Sequence, residues 1–365
     1  MEVFIMNKEK LTSWQFSCLV CFPLLALFSG MGIHNIIAIA RVDSYLSVIF
    51  TYFLGLLPLL LFIGIFNYKK ELDIKEKINY LFGPYIGTII NWIINLLVLC
   101  IGSILIYNIS NFAISQFLAE TPILVFMILL GIILIYNVSL GIENIARVAI
   151  IFLSIICLLT IISTSGILPH FEMSNMKPFL EKGITKPIQG SFILTLTNVI
   201  PIFMLLIIPK DKIEQTKNIS KQFFLFYSLA FLFMFLAIIL TIGSLGIYLS
   251  SYYQYPEYTV LKSISLFNFI ERIENFIYVK WILNSIMCLS LIIFYLQQSI
   301  KKNSTKLVPI IITGVIIYLS LQILKYNTTF YMICKNIFPY LCLLLFSIYI
   351  IIGINILMRK IINQE

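Results

Sequence analysis

Two stretches of this chain carry residues whose types and order could do chemistry inside an apolar medium. One is Ser29-Gly30-Met31-Gly32, in the middle of the apolar run Phe22–Ala40 and followed at once by His34 and Asn35. In hydrocarbon each backbone N–H or C=O without a partner costs several kcal/mol, so a helix is not broken there without compensation. Two glycines one residue apart let the backbone unwind and leave amide N–H groups at the start of the second half-helix. The helix dipole favours an anion at that place, so the stretch reads as a binding site. The other stretch holds Gly190, Ser191, Thr195, Thr197, Asn198 and Pro201, again polar and helix-breaking residues near the centre of an apolar run.

Other candidates are weaker. His34 reads as a hydrogen-bonded packing histidine or an outer gate residue, since neutral imidazole needs only a partner for each nitrogen. Ser285 and Ser290 could help hold a sodium ion with carbonyls of the first break, because hard cations prefer oxygen ligands. Glu143 and Arg147, four residues apart, fit an ion pair on one helix face. Glu271, Arg272 and Glu274 form a second charged cluster, read as an interfacial anchor. Cys18 and Cys21 make a C-x-x-C, but no histidine or second cysteine pair accompanies them as a zinc site would need. His34 and His170 stand in different settings; there is no triad, no H-E-x-x-H and no phosphate-binding glycine loop. We therefore expect no enzyme, no metal and no cofactor.

The elements that position these residues follow from composition. The chain has 365 residues, 60% hydrophobic and 11% charged, which a water-soluble globule with a charged surface does not have. It reads as an all-α polytopic membrane protein. The net charge of +9 does not point to nucleic acid, because Lys and Arg fall between apolar runs, where the cytoplasmic side of a membrane collects them. The N-terminus shows no cleavable signal, so the first run is expected to remain as a span.

At about 20 apolar residues per span the sequence predicts ten transmembrane helices: Trp14–Ala40, Tyr45–Phe66, Tyr85–Phe117, Pro122–Val138, a fifth that follows Gly141–Arg147 and runs to about Ile167, Ile188–Pro209, Phe223–Leu249, Ile277–Leu296, Leu307–Leu324 and Ile337–Met358. Lys69–Lys77 reads as a short amphipathic surface helix, and Tyr252–Tyr278 as a segment lying flat on the membrane. The stretches Lys8–Lys10, Lys69–Lys77, Arg147, Lys210–Lys221, Lys301–Lys306 and Arg359–Lys360 hold 16 of the 25 Lys and Arg, which places both termini in the cytoplasm. The polar segment Pro169–Pro187 cuts the single membrane domain, 1–365, into repeats 14–167 and 188–358. Five spans each make a five-plus-five inverted repeat with discontinuous first and sixth helices, and paired breaks are the best sequence pointer to a midplane site.

Leu140-Gly141-Ile142-Glu143-Asn144-Ile145-Ala146-Arg147, Lys177-Pro178-Phe179-Leu180-Glu181-Lys182-Gly183-Ile184, Gly190-Ser191-Phe192, Leu205–Pro209, Phe269-Ile270-Glu271-Arg272-Ile273-Glu274 and Trp281-Ile282-Leu283 occur in this order. Together they resemble the B subunit of spore germinant receptors, the GerAB family of endospore germination permeases, similar in turn to the amino acid–polyamine–organocation transporter superfamily. The resemblance implies the same ten-span architecture. It also implies a subunit that recognises a small germinant such as an amino acid, beside an A subunit and a lipoprotein C subunit in the spore inner membrane or cell membrane. Carried over, the carboxylate-binding loop falls on Ser29, Gly30, Met31 and Gly32, and the opposite wall on Thr195, Thr197 and Asn198, suited to an ammonium or hydroxyl. The sequence departs from the family pattern in lacking a glutamate after the second break, and in having Cys288 near the place of a lysine in the eighth span. The embedded site then reads as nearly uncharged, with His34 its one mid-membrane titratable candidate, which favours sensing over proton-driven transport. A stand-alone secondary amino acid transporter is the competing reading.

Overall fold

The computed structural model describes residues 10–214, 216–262, 274–300, 307–324 and 326–363. Apolar runs in a medium without water must close their backbone hydrogen bonds locally, and helices do so. Among the described residues seven helical stretches are long and apolar enough to cross a membrane: Ser13–Asn67, Pro84–Gln116, Gly141–His170, Thr185–Ile207, Ile219–Tyr252, Glu274–Ile300 and Thr328–Ile362. Two shorter apolar helices, Ile123–Ser139 and Leu307–Ile323, accompany them. The protein is an all-α membrane protein.

The first stretch is 55 residues long, roughly 80 Å at 1.5 Å per residue against about 30 Å of hydrocarbon. It therefore cannot run straight. It divides into α1 (Ser13–Cys18), α2 (Cys21–Leu27), a π-turn at Phe28–Gly32, α3 (Ile33–Ala40), α4 (Ser44–Leu54) and α5 (Leu56–Asn67). The reversal between α3 and α4 is at Arg41, whose φ is +52°, and Ser44 holds it by donating to the Ile36 carbonyl at 3.2 Å.

Next come α6 (Ile74–Phe82), α7 (Pro84–Gln116), α8 (Ile123–Ser139) and α9 (Gly141–Ile167). The expected Glu143–Arg147 pair is present at 3.6 Å, one turn apart on α9. After the connecting loop come α10 (Thr185–Leu194), a π-turn at Thr195–Val199 and a 3₁₀ stretch at Ile200–Ile207. The chain closes with α11 (Ile219–Tyr252), α12 (Pro256–Lys262), α13 (Glu274–Ile300), α14 (Leu307–Ile323), α15 (Asn327–Met332) and α16 (Phe338–Asn363). A two-residue strand, β1 (Leu11–Thr12), pairs in parallel with β2 (Ile213–Glu214) and ties the start of the chain to the basic loop.

One expectation changes. The described part of Tyr252–Tyr278 does not lie flat: α12 is tucked into the molecule with Glu257, Tyr258, Val260 and Leu261 buried, packed on α11, α13, α9 and α3. Its apolar side chains find more cover between helices than at a headgroup surface. Glu274 starts α13, whereas Glu271 and Arg272 lie outside the described residues, as do Lys8 and Lys301–Lys306.

The short helix expected over Lys69–Lys77 is displaced along the chain: Lys69–Asp73 is turn and bend, and α6 spans Ile74–Phe82, opened by an Asp73–Glu76 capping box, which satisfies its first free amides. Its Lys77 is 1% exposed and donates Nζ to the Ile65 carbonyl at 3.0 Å. Burial lowers this ammonium from 10.5 to about 8, opposed by Asp73 and aided by Lys210. The unfolded chain then holds more protons than the folded one between those values, so stability rises with pH across that window. Replacing Lys77 by Met is expected to remove this rise, which melting curves in nanodiscs between pH 7 and 10.5 would register as a flat profile for the variant.

Candidate functional site

At Ser29 and Gly30 the helix opens: ψ of Ser29 is 135°, and Gly30 has φ 68° and ψ −87°. A positive φ there suits glycine, and any other residue meets its own Cβ. A Cβ on Gly30 would also sit 2.8 Å from the Trp281 ring and 3.3 Å from Asn108 Oδ1. The freed groups are met from three sides. Asn108 of α7 donates to the Ser29 carbonyl at 3.0 Å, and Ser29 Oγ donates back to Leu25 at 2.9 Å. The Gly30 N–H donates to Glu257 Oε1 of α12 at 2.8 Å. The first break is thus an opened helix whose amide holds a carboxylate, but the carboxylate belongs to the protein.

The second polar stretch differs from the expected discontinuity. Thr195–Val199 winds as a π-turn and Ile200–Ile207 as a 3₁₀ helix, so the helix changes pitch and does not open. Pro201 contributes by lacking an N–H at the junction. Its polar side chains are already engaged. Asn198, fully buried, donates to the Leu24 carbonyl of α2 at 3.0 Å and accepts from Thr197 Oγ1 at 2.8 Å. Thr195 Oγ1 donates to Ser191 at 2.8 Å. Met31, Gly32 and Thr197 border a void of only ≈ 10 Å³, room for about one water. The structure does bring the two stretches together, through Asn198, and closes the gap between them.

A roomier space than this void borders the break at Ser29. A cavity of ≈ 100 Å³ opens between the first helix, α9, α11, α12 and α13, with Ser29, Thr160, Ser163, Glu257, Lys280 and Asn284 among its polar lining and Phe28, Phe233 and Trp281 among its apolar walls. Lys280 Nζ donates to Ser163 Oγ at 3.3 Å. Glu257 is 6% exposed and Asn284 4%, and among the described residues Glu257 Oε2 and Asn284 Oδ1 have no hydrogen-bond partner. Burial pushes the Glu257 carboxyl up to about 7, against the pull of the Gly30 amide and Lys280.

The expectation of a nearly uncharged site is therefore corrected. Lys280 stands two turns before Cys288 on α13, and it was legible as a lone cation inside an apolar run. Glu257 had no such signal: an acid after Pro256 reads as an ordinary helix start. His34, half-buried on α3, donates Nδ1–H to the Tyr253 carbonyl at 3.2 Å and packs at 5.3 Å from the Tyr331 ring. It ties α3 to the segment that leads into α12. Ser290 accepts from Asn137 of α8 at 2.9 Å, and Asn137 accepts from Asn144 at 3.0 Å; Ser285 is buried on the same α13. Neither serine hydrogen-bonds to Ser29–Gly32 among the described residues. Cys18 and Cys21 are free and buried, and among the described residues no cluster of His, Cys, Asp or Glu is grouped for a metal.

A family model described as spore germination protein matches residues 10–328. The chain belongs to this family of spore germination proteins. It is 24% identical over 325 residues to spore germination protein XB of Bacillus anthracis, an alignment covering 86% of this chain and 90% of that protein. It is 23% identical over 269 residues to spore germination protein KB of Bacillus subtilis strain 168, covering 72% and 70%. Spore germination protein A2 of the same strain is 26% identical over 247 residues, 66% of each chain. The resemblance carried by Leu140–Arg147 and the later stretches is borne out. Within the family frame, Ser29 of the opened helix, the buried Glu257 and the partly buried Lys280 line one cavity.

Proposed function

We propose that this chain is the permease-like B subunit of a spore germinant receptor, which recognises a small amino-acid-like germinant at the break of the first helix and helps trigger germination. The observation that supports it most is the Gly30 amide, freed inside the membrane and holding a carboxylate at 2.8 Å. The germinant's carboxylate would take that amide, with Ser29, Met31 and Gly32 beside it, and Thr195, Thr197 and Asn198 would set the opposite wall. His34 would act as a gate through its hold on Tyr253, and Ser285 and Ser290 remain the proposed ion ligands. Binding need only favour one conformation over another to signal.

In this reading the chain has ten spans in two inverted repeats, 14–167 and 188–358. Counting Ser13–Asn67 as a folded-back pair and adding Ile123–Ser139 and Leu307–Ile323 to the other stretches fits that number. Both termini would be cytoplasmic, and the partners would be an A subunit and a lipoprotein C subunit in the spore inner membrane. A stand-alone secondary amino acid transporter is favoured by one observation: embedded ionisable groups often serve ion coupling, and Glu257 and Lys280 line one cavity. Uptake of labelled amino acids into proteoliposomes holding this chain alone separates the two. Background-level uptake is expected, with a germination defect when the gene is deleted; ion-driven accumulation would favour the transporter.

A further inference from the structure

The same carboxylate that supports the reading above also obstructs it. A germinant carboxylate arriving at Gly30 finds the amide already taken by Glu257 Oε1. Glu257 stands in the first turn of α12, yet its carboxylate reaches another segment 227 residues away in sequence. Its second oxygen has no hydrogen-bond partner among the described residues, which makes the buried carboxylate incompletely satisfied where it sits. A buried acceptor left unpaired costs about 1–3 kcal/mol, more when charged.

A place for the side chain to go is next to it. Glu257 lines the ≈ 100 Å³ cavity together with Lys280 and Asn284, which are one helical turn apart and share a face of α13. An ammonium has three donors, and Lys280 gives one to Ser163. The cavity is large enough for several waters by the usual measure of about 10–15 Å³ each, so a carboxylate can swing within it without forcing helices apart.

We propose that Glu257 is a tethered competitor of the germinant: it occupies the Gly30 amide in the unliganded protein, and a bound amino acid's carboxylate displaces it across the cavity toward Lys280. The inference rests on the proposed reading of Gly30 as a carboxylate seat. It assigns Glu257 and Lys280 opposite effects on affinity, one competing with the ligand and the other receiving the displaced side chain. It also couples ligand binding to α12, because the displaced residue belongs to that helix, and α12 packs on α3, α9, α11 and α13.

Trp281 packs on Gly30 and lines the cavity, so it can report on both. In the full chain with Trp14 and Trp92 changed to Phe, reconstituted in nanodiscs, Trp281 fluorescence is titrated with each of the twenty amino acids. Glu257→Gln keeps the shape and removes the charge; it is expected to bind at least one amino acid about tenfold more tightly than the parent. Lys280→Gln is expected to bind the same amino acid more weakly. Amino acid amides, lacking the carboxylate, are expected to bind neither form. Equal or weaker binding by Glu257→Gln, with its melting temperature kept, overturns the competitor role. Gly30→Val separates this from the reading beneath it: if that variant binds as the parent does, the seat itself is wrong. Absence of any binding in both the parent and Glu257→Gln overturns both.

Discussion

Gly30→Val is expected to abolish the germination response in spores whose germination depends on this chain, while an immunoblot still finds the chain in the membrane fraction. Two costs combine at this position. A non-glycine residue at φ 68° is strained by roughly 1–2 kcal/mol, and more when β-branched. In addition, a Cβ would stand 2.8 Å from the Trp281 ring and 3.3 Å from Asn108 Oδ1. The ring cannot turn aside freely, because it is also packed 4.1 Å from Phe112 and 5.6 Å from Tyr255. The backbone would yield first, and with it the amide that holds Glu257. Gly32→Ala provides the contrast, since Gly32 has ordinary helical angles and its added Cβ would meet chiefly the Leu27 carbonyl at 2.9 Å. A partial loss is expected there. Full response by Gly30→Val would remove the opened helix from the mechanism.

Asn198→Ala is expected to lower stability by about 1–3 kcal/mol, the cost of leaving buried polar groups unpaired, tending to the lower end because hydrogen bonds between membrane helices average less. Asn198 holds both the Leu24 carbonyl and the Thr197 hydroxyl. Losing it orphans an acceptor at the end of α2 that leads into the break. Melting of the full chain in nanodiscs would report the loss, and the germinant dose required should rise with it, because this contact fixes the opened helix against the second polar stretch. An unchanged melting temperature together with an unchanged dose would show that the two stretches are held by packing alone.

The apolar runs, and the break at Ser29–Gly30, were legible in the sequence because membranes impose strict rules. Span length follows from bilayer thickness, and of the Gly-x-Gly pair Gly30 opens the backbone while Gly32 keeps helical angles. The pair Glu143–Arg147 was legible for a similar reason, since spacing along one helix decides it; of the short helix read at Lys69–Lys77 only Ile74–Lys77 is helical, because Asp73 caps a helix that runs on to Phe82. The character of the second stretch was not legible. Thr195, Thr197, Asn198 and Pro201 are helix-weakening residues, but whether a helix opens or only changes pitch depends on what its side chains meet, and Asn198 meets α2.

What the sequence by itself determined is the class of the molecule, its membrane helices, its family and the place of the first break. These depend on local hydropathy, backbone sterics and residue order, all of which are properties of contiguous stretches. Only the tertiary structure decided that the break already holds a carboxylate, and whose it is. Gly30 and Glu257 are 227 residues apart, and Lys280 comes to the same cavity from a third helix. Such a meeting is set by helix packing across the bundle, where no periodicity in the chain records which acid faces which amide.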